Sequence, residues 1–331
     1  KGPKKIVSYF LLIAILGMVS FALSKNFTIL LLSRILIGVG VGACLMGPLT
    51  AYRIWFQDET QQRANSWMLM TGAIGMLSSS LPVQFFLPII GWRAIFGVLA
   101  LLTLLTIFLI IYFIPNWDQK ENRKNSEDKG SLKEIWQNNF FKSLVPMGFF
   151  NYGGLFAIQT LWAGPWMIKV SGYTAEESAN GLFIIYLSLL LSFLCWGYFV
   201  PKISKSVSDA IRLLKFGAPL NLLVLTYIIY LGPKAGAFHL AFFAVSSVFL
   251  SLTQPAVGMA FSLSNAGKAL TSFNLLLFIG AFALQWIIGI IIDSSVSLGF
   301  SEVIAFKAGM MFILITSFFS YLFFLVKNFK N

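Results

Sequence analysis

The chain has 331 residues, of which 58% are hydrophobic and only 11% charged, and its net charge is +12. A soluble protein of this length has no interior large enough to hide that much apolar surface, so an ordinary two-domain soluble enzyme is excluded and lipid is the matching solvent. Two cysteines, Cys44 and Cys195, and a single histidine, His239, exclude a disulfide framework and a His-based metal cluster; no metal or cofactor is expected.

Ten apolar runs follow one another, approximately at 6–23, 27–50, 66–90, 94–114, 144–168, 179–200, 213–231, 235–261, 270–292 and 303–326. Roughly 20 apolar residues carry a helix across the hydrocarbon core. The runs are continuous and lack the short alternation of a barrel strand, so helices are predicted throughout. Four runs occupy an N-terminal bundle, 1–114, and six a C-terminal bundle, 143–331. Between them, 115–142 is polar, with DQKENRKNSEDKG at its centre, and reads as a solvated linker. Its far end, 131–141, has the pattern of a short amphipathic helix on the membrane surface.

With loops assigned alternately to two sides, eighteen of the 24 Lys and Arg fall on one side and five on the other; the last, Arg34, lies inside a run. The positive-inside rule then puts both ends of the chain and the linker in the cytoplasm, and the expected location is the cytoplasmic (inner) membrane. The basic excess is a topology and lipid-headgroup signal, so no nucleic-acid partner is expected.

Polar groups inside apolar runs are expensive and mark candidate function. Arg34 lies seven residues from the start of its run, roughly 10 Å along a helix. It either lines a cavity or snorkels to the outer headgroups. All twelve Asp and Glu lie in loops or at helix ends, with Asp293 and Glu302 at the outer boundary. No midplane carboxylate is therefore available to titrate. In the first run after the linker, Asn151, Gln159, Trp162 and Trp166 fall within an arc of about 80°. Amides beside indoles suit a small organic solute; interhelical hydrogen bonding and an interfacial Trp belt are the competing reading. Gly164-Pro165 predicts a kink beside Trp166. In the run 235–261, His239, Phe243, Ser246, Leu250 and Gln254 form a similar stripe, with Gln254 just before Pro255. Asn274 and Gln285 share a face of the next run and read as gate or packing contacts. Gly38 and Gly42, four apart, predict close helix packing.

Four short motifs occur in order. Lys1-Gly-Pro-Lys-Lys5 precedes the first apolar helix. Ser33-Arg34-Ile-Leu-Ile-Gly38-Val-Gly40-Val-Gly42 lies in the second run, Gly91-Trp92-Arg93-Ala-Ile-Phe96 opens the fourth, and Gly197-Tyr-Phe-Val-Pro-Lys202-Ile-Ser-Lys205 ends the sixth. Together they resemble the major facilitator superfamily. They correspond there to the basic loop between helices two and three, the Arg-x-x-x-Gly-x-Gly of helix four, the start of helix six and the second basic loop. The resemblance covers the whole chain as helices three to twelve of twelve, so the expected fold is an all-α, two-bundle membrane protein lacking its first two helices. The Asp and Arg pairs of the loop motif are not reproduced, and Pro82 lacks the preceding Gly of the family's antiporter motif.

The resemblance implies a secondary active transporter, expected as a monomer, that moves a small organic solute by alternating access, with protons as a candidate coupling ion. Arg34 would then serve coupling or an anionic substrate, Asn151, Gln159, Trp162, Trp166 and Gln254 would line the cavity, and Pro165 would act in gating. The alternatives are an integral-membrane enzyme or a sensor without transport. An enzyme needs a catalytic cluster at the membrane surface, whereas the cytoplasmic carboxylates here are scattered.

Overall fold

The computed structural model describes residues 3–44, 47–48, 51, 58–115, 132–203 and 206–328. Most of the linker, the end of run 27–50 and parts of both basic-loop motifs lie outside the described residues. The main helices are α1 (Pro3–Leu23), α2 (Phe27–Val41), α3 (Asp58–Ser78), α4 (Leu81–Phe113) and α5 (Leu132–Gln137). They continue as α6 (139–169), α7 (Ala175–Ile203), α8 (Val207–Leu231), α9 (Ala237–Met259), α10 (Leu263–Ser297) and α11 (Glu302–Lys327). Among the described residues, seven helices are long and apolar enough to cross a membrane.

Three of the ten predicted runs, 66–90, 144–168 and 235–261, take a different form, the last interrupted by the 3-10 segment Ser247–Leu252. The run 66–90 is divided between α3 and α4 by a turn in which the Ser79 and Ser80 hydroxyls donate back to the carbonyls of Met76 and Leu77, at 2.8 and 2.7 Å. Hydroxyls that capture backbone carbonyls in this way offer the chain an exit from the helix. The run 144–168 becomes α6, assembled from short α and π segments. α4 in turn breaks at Gly91, where φ is 73° and ψ 159°; glycine alone adopts that conformation without strain. The break falls where the runs 66–90 and 94–114 were separated in the sequence.

The chain divides into two compact units. One is Lys1–Gly72 with Pro82–Glu127, and the other Ala73–Leu81 with Asp128–Asn331. In the first unit, α1 and α2 form an antiparallel hairpin closed by small residues. A Cβ on Gly17 would stand 2.8 Å from Ile37 N, and one on Gly40 would collide with the Ala14 backbone. Ser33 Oγ donates to Ser20 Oγ at 2.9 Å across the same contact. α4 runs back along α1: Lys4 Nζ donates to Ile114 O at 2.7 Å at one end, and Arg93 Nη2 to Ser24 O at 3.2 Å at the other. Ile107 packs with Val7 and Leu11, and Ala100 with Ala14 and Met18.

The second unit holds the larger core, with Phe141, Trp166, Phe243, Phe273 and Phe324 fully buried. α6 crosses α10 where glycines let the backbones meet: a Cβ on Gly153 would be 2.9 Å from Ala281 N, and one on Gly280 would strike Phe149 O. Small-residue crossings of this kind replace the hydrophobic drive that lipid does not supply. α5 places Ile135 in the core while Trp136 remains exposed, as an amphipathic surface helix requires.

Candidate functional site

α6 carries four of the sequence candidates, and its backbone decides where they point. Asn138 caps it, its Oδ1 accepting from Phe141 N at 3.0 Å. The helix then widens into π turns over Met147–Tyr152 and Ile158–Trp162. Each wide turn shifts the helical phase, so a stripe drawn at 100° per residue does not persist across it. The second wide turn also accommodates Pro165. A proline crowds the carbonyl four residues earlier, here Leu161, and lacks an N–H. The widened turn closes with Ala163 N–H on Ile158 O and opens the room that the ring needs.

The four side chains accordingly reach different neighbours. Asn151 is buried, and its Nδ2 donates to Ser320 Oγ and, at 3.2 Å, to Ser317 O, both on α11. Trp166 is 0% exposed, with its indole N–H on Ala235 O at 2.9 Å. Trp162 is half-buried; its N–H donates to Gln285 O on α10 at 3.1 Å, and its ring meets the Phe306 ring edge-on at 5.9 Å. Gln159 is different: it is 7% exposed, and its Nε2 has no hydrogen-bond partner among the described residues. Its main-chain carbonyl accepts from Tyr186 OH on α7 at 3.2 Å.

The predicted stripe on α9 is broken for a related reason. Ser247–Leu252 is a 3-10 segment, and six residues at three per turn rotate the remaining helix by about 120°. Phe243, Ser246 and Leu250 are buried in the core, while Gln254 is half-buried beyond the break. Asn221 on α8 holds this segment, donating to Phe243 O and Ser246 Oγ, both at 3.0 Å. Gln254 Nε2 donates to Asn274 Oδ1 on α10 at 3.2 Å. Gln285 Nε2 donates to Thr160 Oγ1 on α6 at 2.8 Å. Asn274 and Gln285 thus tie α10 to both interrupted helices.

In the first unit, Arg34 is exposed on α2, its guanidinium 4.5 Å from the Phe21 ring centroid and 5.1 Å from that of Phe96. A cation over two phenyl faces gains about 0.5–2 kcal/mol. Among the described residues, the ion pair is Lys169 with Glu302, at 3.0 Å in the second unit, and no group of metal ligands occurs. The close packing predicted at Gly38 and Gly42 is made by Gly40 and Gly17 instead. A Cβ on Gly38 would meet no described atom, and one on Gly42 only carbonyls of its own helix. Gly38 lies about 200° around the helix from Gly40, away from α1.

Sequence reasoning missed Phe21, Thr160, Tyr186 and Asn221. Of these, Asn221 carried a usable signal, as a polar residue inside an apolar run. The others became partners through tertiary packing.

The family model for the Major Facilitator Superfamily matches residues 1–284. The fold is similar to that of FucP in its outward conformation, with TM-score 0.65 and 14% identity over 97% of this chain and 83% of that one. It is also similar to the E. coli fucose:proton symporter FucP, with TM-score 0.63 and 15% identity over 96% and 84%. A bacterial homolog of the human lysosomal transporter Spinster, inward-facing and occupied, gives TM-score 0.68 and 14% identity over 98% and 82%. No curated protein matches in sequence. The architecture is all-helical and multi-pass and the family model spans 1–284, so the chain belongs to the Major Facilitator Superfamily, a family of transporters and not of enzymes.

Proposed function

We propose that this protein is a secondary active transporter that moves a small organic solute across the cytoplasmic membrane by alternating access. The described helices correspond, in this reading, to helices three to twelve of a twelve-helix carrier. The observation that carries it is the pair of interrupted helices, α6 and α9, which hold Gln159, Trp162 and Gln254 beside their breaks. Discontinuous helices are a recurring way to build binding sites in transporters, because they free polar groups at membrane depth. Gln159 is the leading substrate contact, since a buried amide N–H without a partner awaits an acceptor. Trp162 and Gln254 are further contacts, and Arg34 is the candidate coupling residue of the first unit. Asn151 and Trp166 are fully enclosed in the core as well as bonded to other elements, unlike the half-buried Trp162 and Gln254, and serve the scaffold.

The domain division proposed is an N-terminal bundle, a linker over 115–142 and a C-terminal bundle, with both chain ends and the linker cytoplasmic on the charge asymmetry of the loops. Protons are the candidate coupling ion, as in the fucose:proton symporter of similar fold. The test is solute flux in proteoliposomes, with and without an imposed pH gradient, across sugars, organic anions and amphipathic drugs. Concentrative uptake or efflux of one class supports the reading. No movement of any class in a protein shown to be inserted and folded overturns it.

A further inference from the structure

Between α8 and α11 lies an apolar groove of about 650 Å³, whose walls include Pro219, Leu223, Thr226, Ile315, Phe319 and Tyr321. Its shape follows from one residue. Pro219 lacks an N–H, so the carbonyl four residues earlier, Lys215 O, has no helical donor. The Tyr321 hydroxyl of α11 donates to that carbonyl at 2.7 Å. Lys215 Nζ in turn donates to Asn328 O at 2.7 Å, and Asn328 Nδ2 to Ser143 Oγ at 3.0 Å. The N-terminal end of α8 is therefore pinned to the C-terminal end of α11, and the groove opens beyond the pin.

The same stripe of α8 carries charge at that end. At 100° per residue, Arg212, Lys215, Pro219, Leu222, Leu223 and Thr226 fall within about 100° of one another. Arg212 is exposed and Lys215 half-buried. Asp209, the acid on this turn, stands about 60° from Arg212 and about 120° from Lys215 around the helix, and its carboxylate also bonds Ser206 in a capping box. From Lys215 to Thr226 the helix rises about 16 Å, close to half of the ~30 Å hydrocarbon thickness.

We infer that this groove is a binding site for one anionic phospholipid, its phosphate on Arg212 and Lys215 and an acyl chain against Pro219, Leu223 and Thr226. The match is between an amphiphile with one anionic end and a track with one cationic end, one leaflet deep. A partner transmembrane helix would need a track through both leaflets. The inference stands apart from the transport reading, because it uses none of the proposed substrate contacts.

Native mass spectrometry of the purified protein in mixed micelles tests it, with phosphatidylglycerol and phosphatidylcholine of identical chains as probes. Phosphatidylglycerol is retained in preference, and Arg212→Gln/Lys215→Gln lowers its retention roughly thirtyfold, the effect of two basic residues near a charged headgroup. Thr226→Trp, which fills the groove and leaves the charges in place, lowers it as well. Equal retention of the two lipids overturns the inference, as does phosphatidylglycerol retention that survives the double substitution. Loss in the charge variant with none in Thr226→Trp also overturns it, since the phosphate alone is then being held. Melting curves of both variants confirm that the fold is intact.

Discussion

Two amides on the same helix separate scaffold from site. Asn151 donates to two groups of α11, so Asn151→Leu removes both buried bonds between the helices and costs about 1–3 kcal/mol. Gln159 Nε2 has no bond to lose. Gln159→Leu therefore leaves the melting temperature unchanged or raised, because an unpaired buried donor is itself unfavourable, while transport falls about tenfold or more. Paired thermal melts and flux assays on the two variants check this; loss of stability with Gln159→Leu sinks the distinction. Arg34 is the second case. Between Phe21 and Phe96 it contributes about 0.5–2 kcal/mol of cation–π attraction, which Arg34→Lys keeps in part and Arg34→Ala removes. Transport is expected to collapse in Arg34→Ala with normal membrane insertion. Full activity in that variant would mark Arg34 as an anchor. The identity of these residues was legible in the sequence because polarity inside an apolar run is conspicuous. Their directions were not, since hydropathy carries no record of where a helix changes phase.

At the scale of the element, the departures from an ideal helix follow rules that the sequence contains without announcing. Pro165 sits just past a π turn, Pro255 just past a 3-10 segment, and Gly91 at the break in α4. Proline and glycine punctuation was visible; whether a helix answers it with a kink, a wide turn or a tight one depends on the groups that receive the freed carbonyls. Tyr321 OH at Lys215 O, the carbonyl that Pro219 frees, is one such group, and it comes from a different helix. The glycines of α2 show the same division. The four-residue spacing selected Gly38 and Gly42 for packing, whereas the position of α1 puts Gly40 at the contact. Gly40→Leu is expected to disrupt the α1–α2 hairpin and reduce the folded yield severalfold, whereas Gly38→Leu leaves yield and melting temperature unchanged. Size-exclusion profiles and melts of the two variants in detergent measure the difference.

For the whole molecule, composition sufficed to select the solvent and the fold class, because so much apolar surface has one physical destination. The ten expected runs map onto the helices with three local exceptions, at the Ser79–Ser80 turn, α6 and α9. Orientation is open to direct measurement. In a background with Cys44 and Cys195 replaced by Ala, a cysteine introduced at Lys133 is expected to react with an impermeant maleimide only after the membrane is opened, and one at Ser171 without opening. Both derive from the loop charge asymmetry, and the reverse pattern inverts the topology.

The crossing of α6 and α10 has a mechanical consequence. Where Gly153 faces Gly280 and Ala281, backbone lies on backbone, with no side chains interleaved as teeth. Sliding at that spot itself moves no tooth, so the resistance to shear comes from its flanks, where Phe273 and Leu277 of α10 seat over Gly148 of α6 and a few bonds bridge the pair. Gln285 to Thr160 and Trp162 to Gln285 O are the bridges nearest the second wide turn. The two helices thus behave as a smooth bearing with a detachable latch, and the latch is made of the same polar groups that a passing solute would compete for.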